Sequence, residues 1–169
     1  MSTALSPLVY VHIQTQPIDV AAEQQALYGI DGRVGAVCTF LGTVRDRYNA
    51  QDAAGSVQGL ELEHYPGMTE AAIESMAQQA IARFGVLAVR VVHRVGPMQP
   101  ADVVVLVAVS AVHRGAAFQA CEFVMDYLKT QAPFWKKEST PEDTRWVDAR
   151  ASDDAALQRW GIASHNSSE

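Results

Sequence analysis

The sequence predicts an α+β fold with a largely antiparallel sheet flanked by helices, and three observations carry that expectation. Short β-branched runs outnumber the helical stretches, and the two do not alternate strictly as a doubly wound sheet would require. Two neighbouring strand-like runs, 86–95 and 103–111, are separated by Gly96-Pro97 and Pro100, which is turn chemistry. The 169 residues are most economically one domain, long enough to bury roughly 70% of the unfolded surface. We place that domain at 1–160 and expect a disordered tail from 161 to 169, where the chain ends in Ser-His-Asn-Ser-Ser-Glu.

Each element has a local reason. Leu8 to Gln14 is a short β-rich run, and Pro17-Ile18-Asp19 opens a helix that reaches Tyr28 and is closed by Gly29. Val34 to Arg45 is β-branched and aromatic, with Gly35 and Gly42 as bulge or close-approach points. The stretch 46–59 is polar and aperiodic and reads as a flexible loop. From Val57 to Tyr65, Leu60, Leu62 and His64 alternate with Glu61, Glu63 and Tyr65, a strand with one apolar face. Pro66-Gly67 turns into a helix from Thr69 to Phe84, with Thr69 placed to cap it. The strands 86–95 and 103–111 follow, then a helix from Arg114 to Gln131 stopped by Pro133. An extended piece from Phe134 to Glu138, a β-rich Arg145-Trp146-Val147 and a short helix from Asp153 to Trp160 complete the order. In the 114–131 helix, Phe118, Cys121, Met125 and Leu128 form an apolar stripe, and Gln119, Glu122, Asp126 and Lys129 repeat the spacing on the polar side.

Composition narrows the function classes. Thirteen Lys and Arg against nineteen Asp and Glu give a net charge of −6, which disfavours general nucleic-acid or anionic-membrane binding. The opening residues lack a basic segment and a long apolar core, so no secretory signal is read there. The longest apolar run, Val103 to Val109, is far too short for a bilayer. Cys38 and Cys121 form no C-x-x-C, and a reducing cytoplasm fits them best.

Against this acidic background the cations cluster. All three lysines lie between His113 and Glu138, together with Arg114. His113 and Arg114 open a helix, where free N–H groups and the positive dipole end attract anions. By pattern alone Arg114 reads equally well as a phosphate ligand or an ordinary surface arginine. By spacing alone Lys129 reads first as a solvated lysine paired with Asp126 three residues earlier. Phe134 and Trp135 read as packing after the helix stop or as a pocket wall. His12, His64, His93, His113 and His165 are scattered without metal-ligand spacing, so neither a metal site nor a cofactor is expected. Walker and Rossmann glycine patterns do not occur. Both cysteines read as inert core thiols.

Several motifs carry a resemblance that composition could not supply. They are G-T-V-R (42–45), L-E-H-Y-P-G-M-T (62–69), H-R-x-G (93–96), H-R-x-x-A-F-x-A (113–120), D-Y-L-K-x-x-x-P-F-W-K-x-E (126–138) and R-W-V-x-A-R (145–150). In this order, from about Val34 to Trp160, they resemble the large, catalytic subunit family of molybdopterin synthase. The block from Asp126 to Glu138 is the specific part. Thr43 stands where some members of that family carry a lysine, and the loop 46–58 is longer than usual.

The resemblance implies an α/β-hammerhead type of fold and a particular reaction. Cyclic pyranopterin monophosphate (precursor Z) receives two sulfurs and becomes the dithiolene molybdopterin, in molybdenum cofactor biosynthesis. Sulfur arrives as a thiocarboxylate on the C-terminal Gly-Gly of a ubiquitin-like small subunit, so the catalytic subunit needs no reactive cysteine. The implied assembly is a large-subunit homodimer within a heterotetramer. Position by position, Lys129 and Lys136 match the essential lysines. Thr43, Val44, Arg45, His113, Arg114, Lys137 and Glu138 match substrate-binding positions, and Arg150 matches an arginine that the dimer mate contributes or the chain itself supplies. A second class remains open on the residues: a non-catalytic module that holds a phosphorylated pterin or a partner's tail. Retention of both Lys129 and Lys136 separates the two, because binding alone rarely requires both.

Overall fold

The structure, a computed structural model, describes residues 8–46, 58–147, 155–156 and 158–162. Most of the expected flexible loop, Arg150, and positions 163–169 of the expected tail lie outside the described residues. The elements are β1 (Leu8–Gln14), α1 (Val20–Gln25), β2 (Ala36–Thr43), β3 (Gly59–His64), α2 (Met68–Phe84), β4 (Ala88–Arg94), β5 (Gly96–Met98), β6 (Val103–Ala111), α3 (Arg114–Thr130), β7 (Phe134–Ser139) and β8 (Thr144–Val147). Ala155, Ala156 and Gln158 are helical, as the final element predicts.

The strands divide between two four-stranded sheets, in the orders β1-β4-β6-β2 and β5-β3-β7-β8. Among the described strands only β1 against β4 is parallel and every other pairing is antiparallel, so the α+β class and its antiparallel bias hold. Gly96 makes the change of sheet. At φ 80° it takes a backbone state that costs a β-carbon-bearing residue energy, and it sends the chain from β4 directly into β5. The turn chemistry read at 96–100 therefore contains a short strand of its own.

The first sheet is covered on both faces. Val89 and Val91 of β4 and Val107 and Val109 of β6 meet Ile73, Met76 and Ala80 of α2 and Phe123 and Val124 of α3. The alternate residues Ala88, Val92, Leu106 and Ala108 meet Leu27 and the α1 segment. This is why β6 reads as a nearly continuous apolar run rather than an alternating one. Arg90 joins α1 to the sheet through an ion pair with Glu23, and its guanidinium lies 3.7 Å from the Tyr10 ring centre. A third cluster, Val44, Leu60, Leu62, Val95 and Met98, with Phe134 beside it, fills the junction between the sheets. Among the described residues no helix is long and apolar enough to cross a membrane.

Two local expectations are corrected. α2 is capped by Gly67 at φ 82°, and the Glu70 carboxylate accepts the Gly67 N–H at 2.7 Å. Thr69 lies inside the helix, fully buried. Its hydroxyl accepts the Tyr65 N–H and donates to the Pro133 carbonyl, both at 3.0 Å, tying α2 to the start of β7. Phe118, placed on the buried stripe of α3, is 61% exposed, whereas Cys121, Met125 and Leu128 are buried. The buried face of α3 is centred on Ala117, Ala120, Cys121 and Val124, which leaves Phe118 at its margin. Gly35 and Gly42 behave as expected. A β-carbon at Gly35 would collide with the Val112 carbonyl, and one at Gly42 would sit 2.8 Å from the Val105 side chain, beside a register shift at Gly42/Thr43.

Candidate active site

The site forms where the two sheets meet, and β7 supplies its centre. Antiparallel pairing sets Leu60 opposite Glu138, Leu62 opposite Lys136 and His64 opposite Phe134. Directly opposite residues share a face, so Phe134, Lys136 and Glu138 point the same way as the buried Leu60 and Leu62. Lys136 Nζ lies 2.6 Å from Glu138 Oε1; the glutamate side chain is 3% exposed and the lysine 35%. A carboxylate so buried requires a cation, and the lysine supplies it while keeping its head at the edge of solvent. Strand alternation sends Lys137 the other way. It faces outward with Trp135, opposite Glu61, and its ammonium lies 5.6 Å from the Trp146 ring centre. The structure thus separates Lys137 from Lys136 and Glu138 by the thickness of the sheet.

Lys129 reaches the same junction from α3. It is exposed in the last helical turn, and its charge is felt by His93 at the end of β4. His93 is the residue that sequence reasoning missed. Its ring is buried and stacked on Phe134, with centroids 4.0 Å apart and planes inclined at 22°. Nδ1 lies 2.8 Å from the Arg94 carbonyl, which selects the tautomer that donates there. Burial pushes the imidazole down to about 4, and Lys129 and His64 act in the same direction, outweighing the hydrogen bond. The ring is neutral at pH 7. A signal for it existed: Val89, Val91 and His93 alternate on one strand, which places the histidine on a helix-covered face.

The segment Thr43-Val44-Arg45 leaves the end of β2 at this junction. Val44 is buried in the inter-sheet cluster; its N–H donates to the Asp102 carbonyl at 2.9 Å, and its carbonyl accepts the Ala101 N–H at 2.8 Å. Ala101 holds φ 73°, the one non-glycine positive φ among the described residues, so the turn gripping Val44 is strained. Asp102 also lies 3.5 Å from the buried Arg94 guanidinium. Thr43 and Arg45 flank this anchor with exposed side chains.

His113 and Arg114 lie elsewhere. His113 is the N-cap of α3, with extended backbone at φ −130°, and among the described residues its side chain makes no capping hydrogen bond. β2 begins opposite the end of β6, with Ala36 against Ala111, and finishes opposite its beginning, with Thr43 against Val103. α3 then runs back along β6, its Cys121 thiol donating to the Val107 carbonyl at 3.7 Å. From Arg114 to Lys129 the helix rises about 22 Å. Within one chain, Arg45, Lys129, Lys136 and Glu138 gather at one end of α3, and His113 with Arg114 stand at the other.

Cys121 is not available for chemistry, since burial raises its thiol pKa well above the usual range and the neighbouring Cys38 adds to this. Among the described residues no three His, Cys, Asp or Glu side chains converge to hold a metal ion.

Comparison with known proteins assigns the family. A family model described as MoaE protein matches residues 13–131. A molybdopterin synthase catalytic subunit from Ralstonia nicotianae is 51% identical over 158 residues, covering 94% of this chain and 88% of its own length. Among solved structures, a molybdopterin biosynthesis MoaE protein from Burkholderia ambifaria superposes with a TM-score of 0.78 at 53% identity, covering 92% of this chain and 99% of that one. A molybdopterin synthase from Staphylococcus aureus gives 0.73 at 31% identity, over 80% and 95% of the two chains. The matched stretch runs from the last two residues of β1 to the end of α3, and the chain belongs to the MoaE protein family.

Proposed function

We propose that the chain is the catalytic subunit of a molybdopterin synthase, moving sulfur from a thiocarboxylated small subunit to cyclic pyranopterin monophosphate. The observation that carries this reading is the Lys136–Glu138 pair on the inner face of β7, beside the end of α3 that bears Lys129. Burial holds the Cys121 thiol unreactive, which suits a reaction whose sulfur nucleophile arrives on a partner's C-terminal tail. The thiocarboxylate and the substrate phosphate are both anions, and the junction presents Lys129, Lys136 and Arg45 to them. Lys129 and Lys136 are the groups we assign to proton transfer as the ring opens and sulfur adds, with Glu138 fixing the Lys136 head. Thr43 and Val44 position Arg45.

His113 and Arg114 cannot reach a small substrate held by Lys129 of their own chain across about 22 Å. They fit the site as a contribution from a second copy, in a large-subunit homodimer that a small subunit joins at each end. Arg150 is assigned to the same inter-subunit role. Lys137, on the outer face, is assigned to the rim through which the donor tail passes. A cytoplasmic setting suits the unbridged cysteines.

Incubation of the chain with precursor Z and thiocarboxylated small subunit tests the reading, with the dithiolene product as readout. Product formation supports it. Tight binding of both ligands without product identifies a non-catalytic binding module instead.

A further inference from the structure

The C-terminal segment grips the acidic neighbour of Lys129. Asp126 stands one helical turn before Lys129, at the i, i+3 spacing where a carboxylate and an ammonium meet on a helix surface. It is engaged elsewhere. Its Oδ2 accepts the Trp160 indole N–H at 2.7 Å and the Arg159 guanidinium at 3.1 Å. Arg159 also reaches Glu122, the preceding carboxylate on that stripe, at 3.1 Å. Trp160 is itself fixed in place. Its ring meets Phe84 and Phe123 edge-on, with centroids 5.7 and 5.5 Å away, and the Arg83 guanidinium lies 5.4 Å from its centre. Arg83 also donates to the Trp160 carbonyl at 2.7 Å. Two aromatic rings and Arg83 thus hold a segment whose side-chain donors end on the two acidic residues leading up to Lys129.

We propose that Arg159 and Trp160 are positioning residues for Lys129: by occupying the Asp126 carboxylate they keep it from pairing with the Lys129 ammonium, which leaves that lysine directed into the sheet junction. This rests on the reading that Lys129 serves the reaction. The Asp126 side chain is only 16% exposed, so once released it needs a cation, and the nearest on its own helix face is Lys129. Such pairing stabilises the charged lysine, drawing its titration to higher pH and its head away from substrate. The other charged or titratable groups around this face are Glu122 on α3, Arg83 on α2, and the neutral His93 on β4, which feels the Lys129 charge.

The test uses the full chain with its small subunit and the double variant Arg159→Leu/Trp160→Phe, which removes both donors and retains an aromatic ring. At neutral pH kcat is expected to fall about threefold to tenfold and the kcat–pH profile to move up by about half to one unit, with KM little changed. Adding Asp126→Asn should restore kcat to within about twofold and return the pH profile. A segment that only supports the fold gives the opposite result, because a third substitution at the same contact leaves the loss in place or deepens it. That outcome, or an unshifted pH profile in the double variant, overturns the proposal. Lys129→Ala separates the two readings. Near-normal turnover there removes Lys129 from the reaction; abolished turnover with no rescue by Asp126→Asn removes only the role of the segment. If the double variant does not fold, Trp160→Phe alone carries the same test at smaller amplitude, since it preserves the ring contacts.

Discussion

The two ends of α3 are built in opposite ways. At its C-terminal end the groups around the proposed site are joined to packed elements. Lys136 is fixed by a buried glutamate, Phe134 is stacked on His93, the Pro133 carbonyl is held by Thr69, and Asp126 is held by Trp160. At its N-terminal end His113 and Arg114 are exposed, and Phe118, one turn on, shows 61% of its surface. The difference matches the demands on each end. The proton transfer proposed for the C-terminal end tolerates little error in position, which packed elements keep small. Holding a phosphate needs charge and reach, which a solvent-facing helix start supplies, above all when it must serve a neighbouring copy.

The largest expected effects break the rigid end. Lys129→Ala and Lys136→Ala should each lower turnover by ~10²–10⁴-fold while the far-UV circular dichroism is retained. Lys136→Ala should also lower the urea midpoint, because it takes the Lys136 ammonium away from the buried Glu138 carboxylate. Lys129, exposed, should leave the midpoint nearly unchanged. Near-normal turnover in both variants would take the chemistry away from this end of α3.

His93 gives the next effect, in stability rather than rate. Its pKa in the folded chain is about 4 against an ordinary value of 6.5. Between those values the unfolded chain binds a proton that the folded chain refuses, so the stabilising contribution is complete above about pH 6.5 and is lost as pH falls toward 4. At about 1.4 kcal/mol per unit the loss approaches ~3 kcal/mol. Urea titrations at pH 7, 5.5 and 4.5 should show a steep decline that His93→Gln flattens. Parallel slopes for the two proteins would mean that the imidazole is charged in place.

At the other end, Arg114→Ala should weaken precursor Z binding by roughly 1.5–3 kcal/mol, measured calorimetrically. Mixed with Lys129→Ala under subunit exchange, it should recover part of the activity, since one site of each hybrid combines an intact Arg114 with an intact Lys129. Exchange without recovery would confine both residues to one chain and contradict the separation that α3 imposes.

Much of this was readable from residues alone. Strand alternation gave β3 correctly, the Gly- and Pro-bounded valine runs gave β4 and β6, and Pro133 marked the end of α3. The motif block 126–138 held both lysines. Three features needed three dimensions. The direct passage from β4 in one sheet to β5 in the other turns on a positive φ at Gly96, which no periodicity encodes. His93 looked like one scattered histidine until its strand was paired and covered. The distance between Arg114 and Lys129 was implicit in fifteen helical steps, yet motif matching places both in one pocket because it carries no geometry. Lys137 shows the same limit, since adjacency to Lys136 in a strand means opposite faces.

Phe118 gives the smallest effect and the sharpest reading of the contrast. Helical periodicity alone puts it on the stripe with Cys121, Met125 and Leu128, and a residue truly in that core would cost several kcal/mol on truncation. At 61% exposure it has little to lose within its own chain, so Phe118→Ser should change the unfolding free energy per chain by less than ~0.5 kcal/mol. Its neighbours at this end are His113, Arg114 and the exposed Val112. If a second copy covers this end to deliver Arg114, the phenylalanine is buried by that contact and the substitution weakens self-association. Analytical ultracentrifugation should then show dissociation at higher concentration than for the unsubstituted chain, with activity falling in step as protein is diluted. A lowered unfolding free energy with unchanged association would return Phe118 to the intrachain core and leave the exposed end of α3 without its partner.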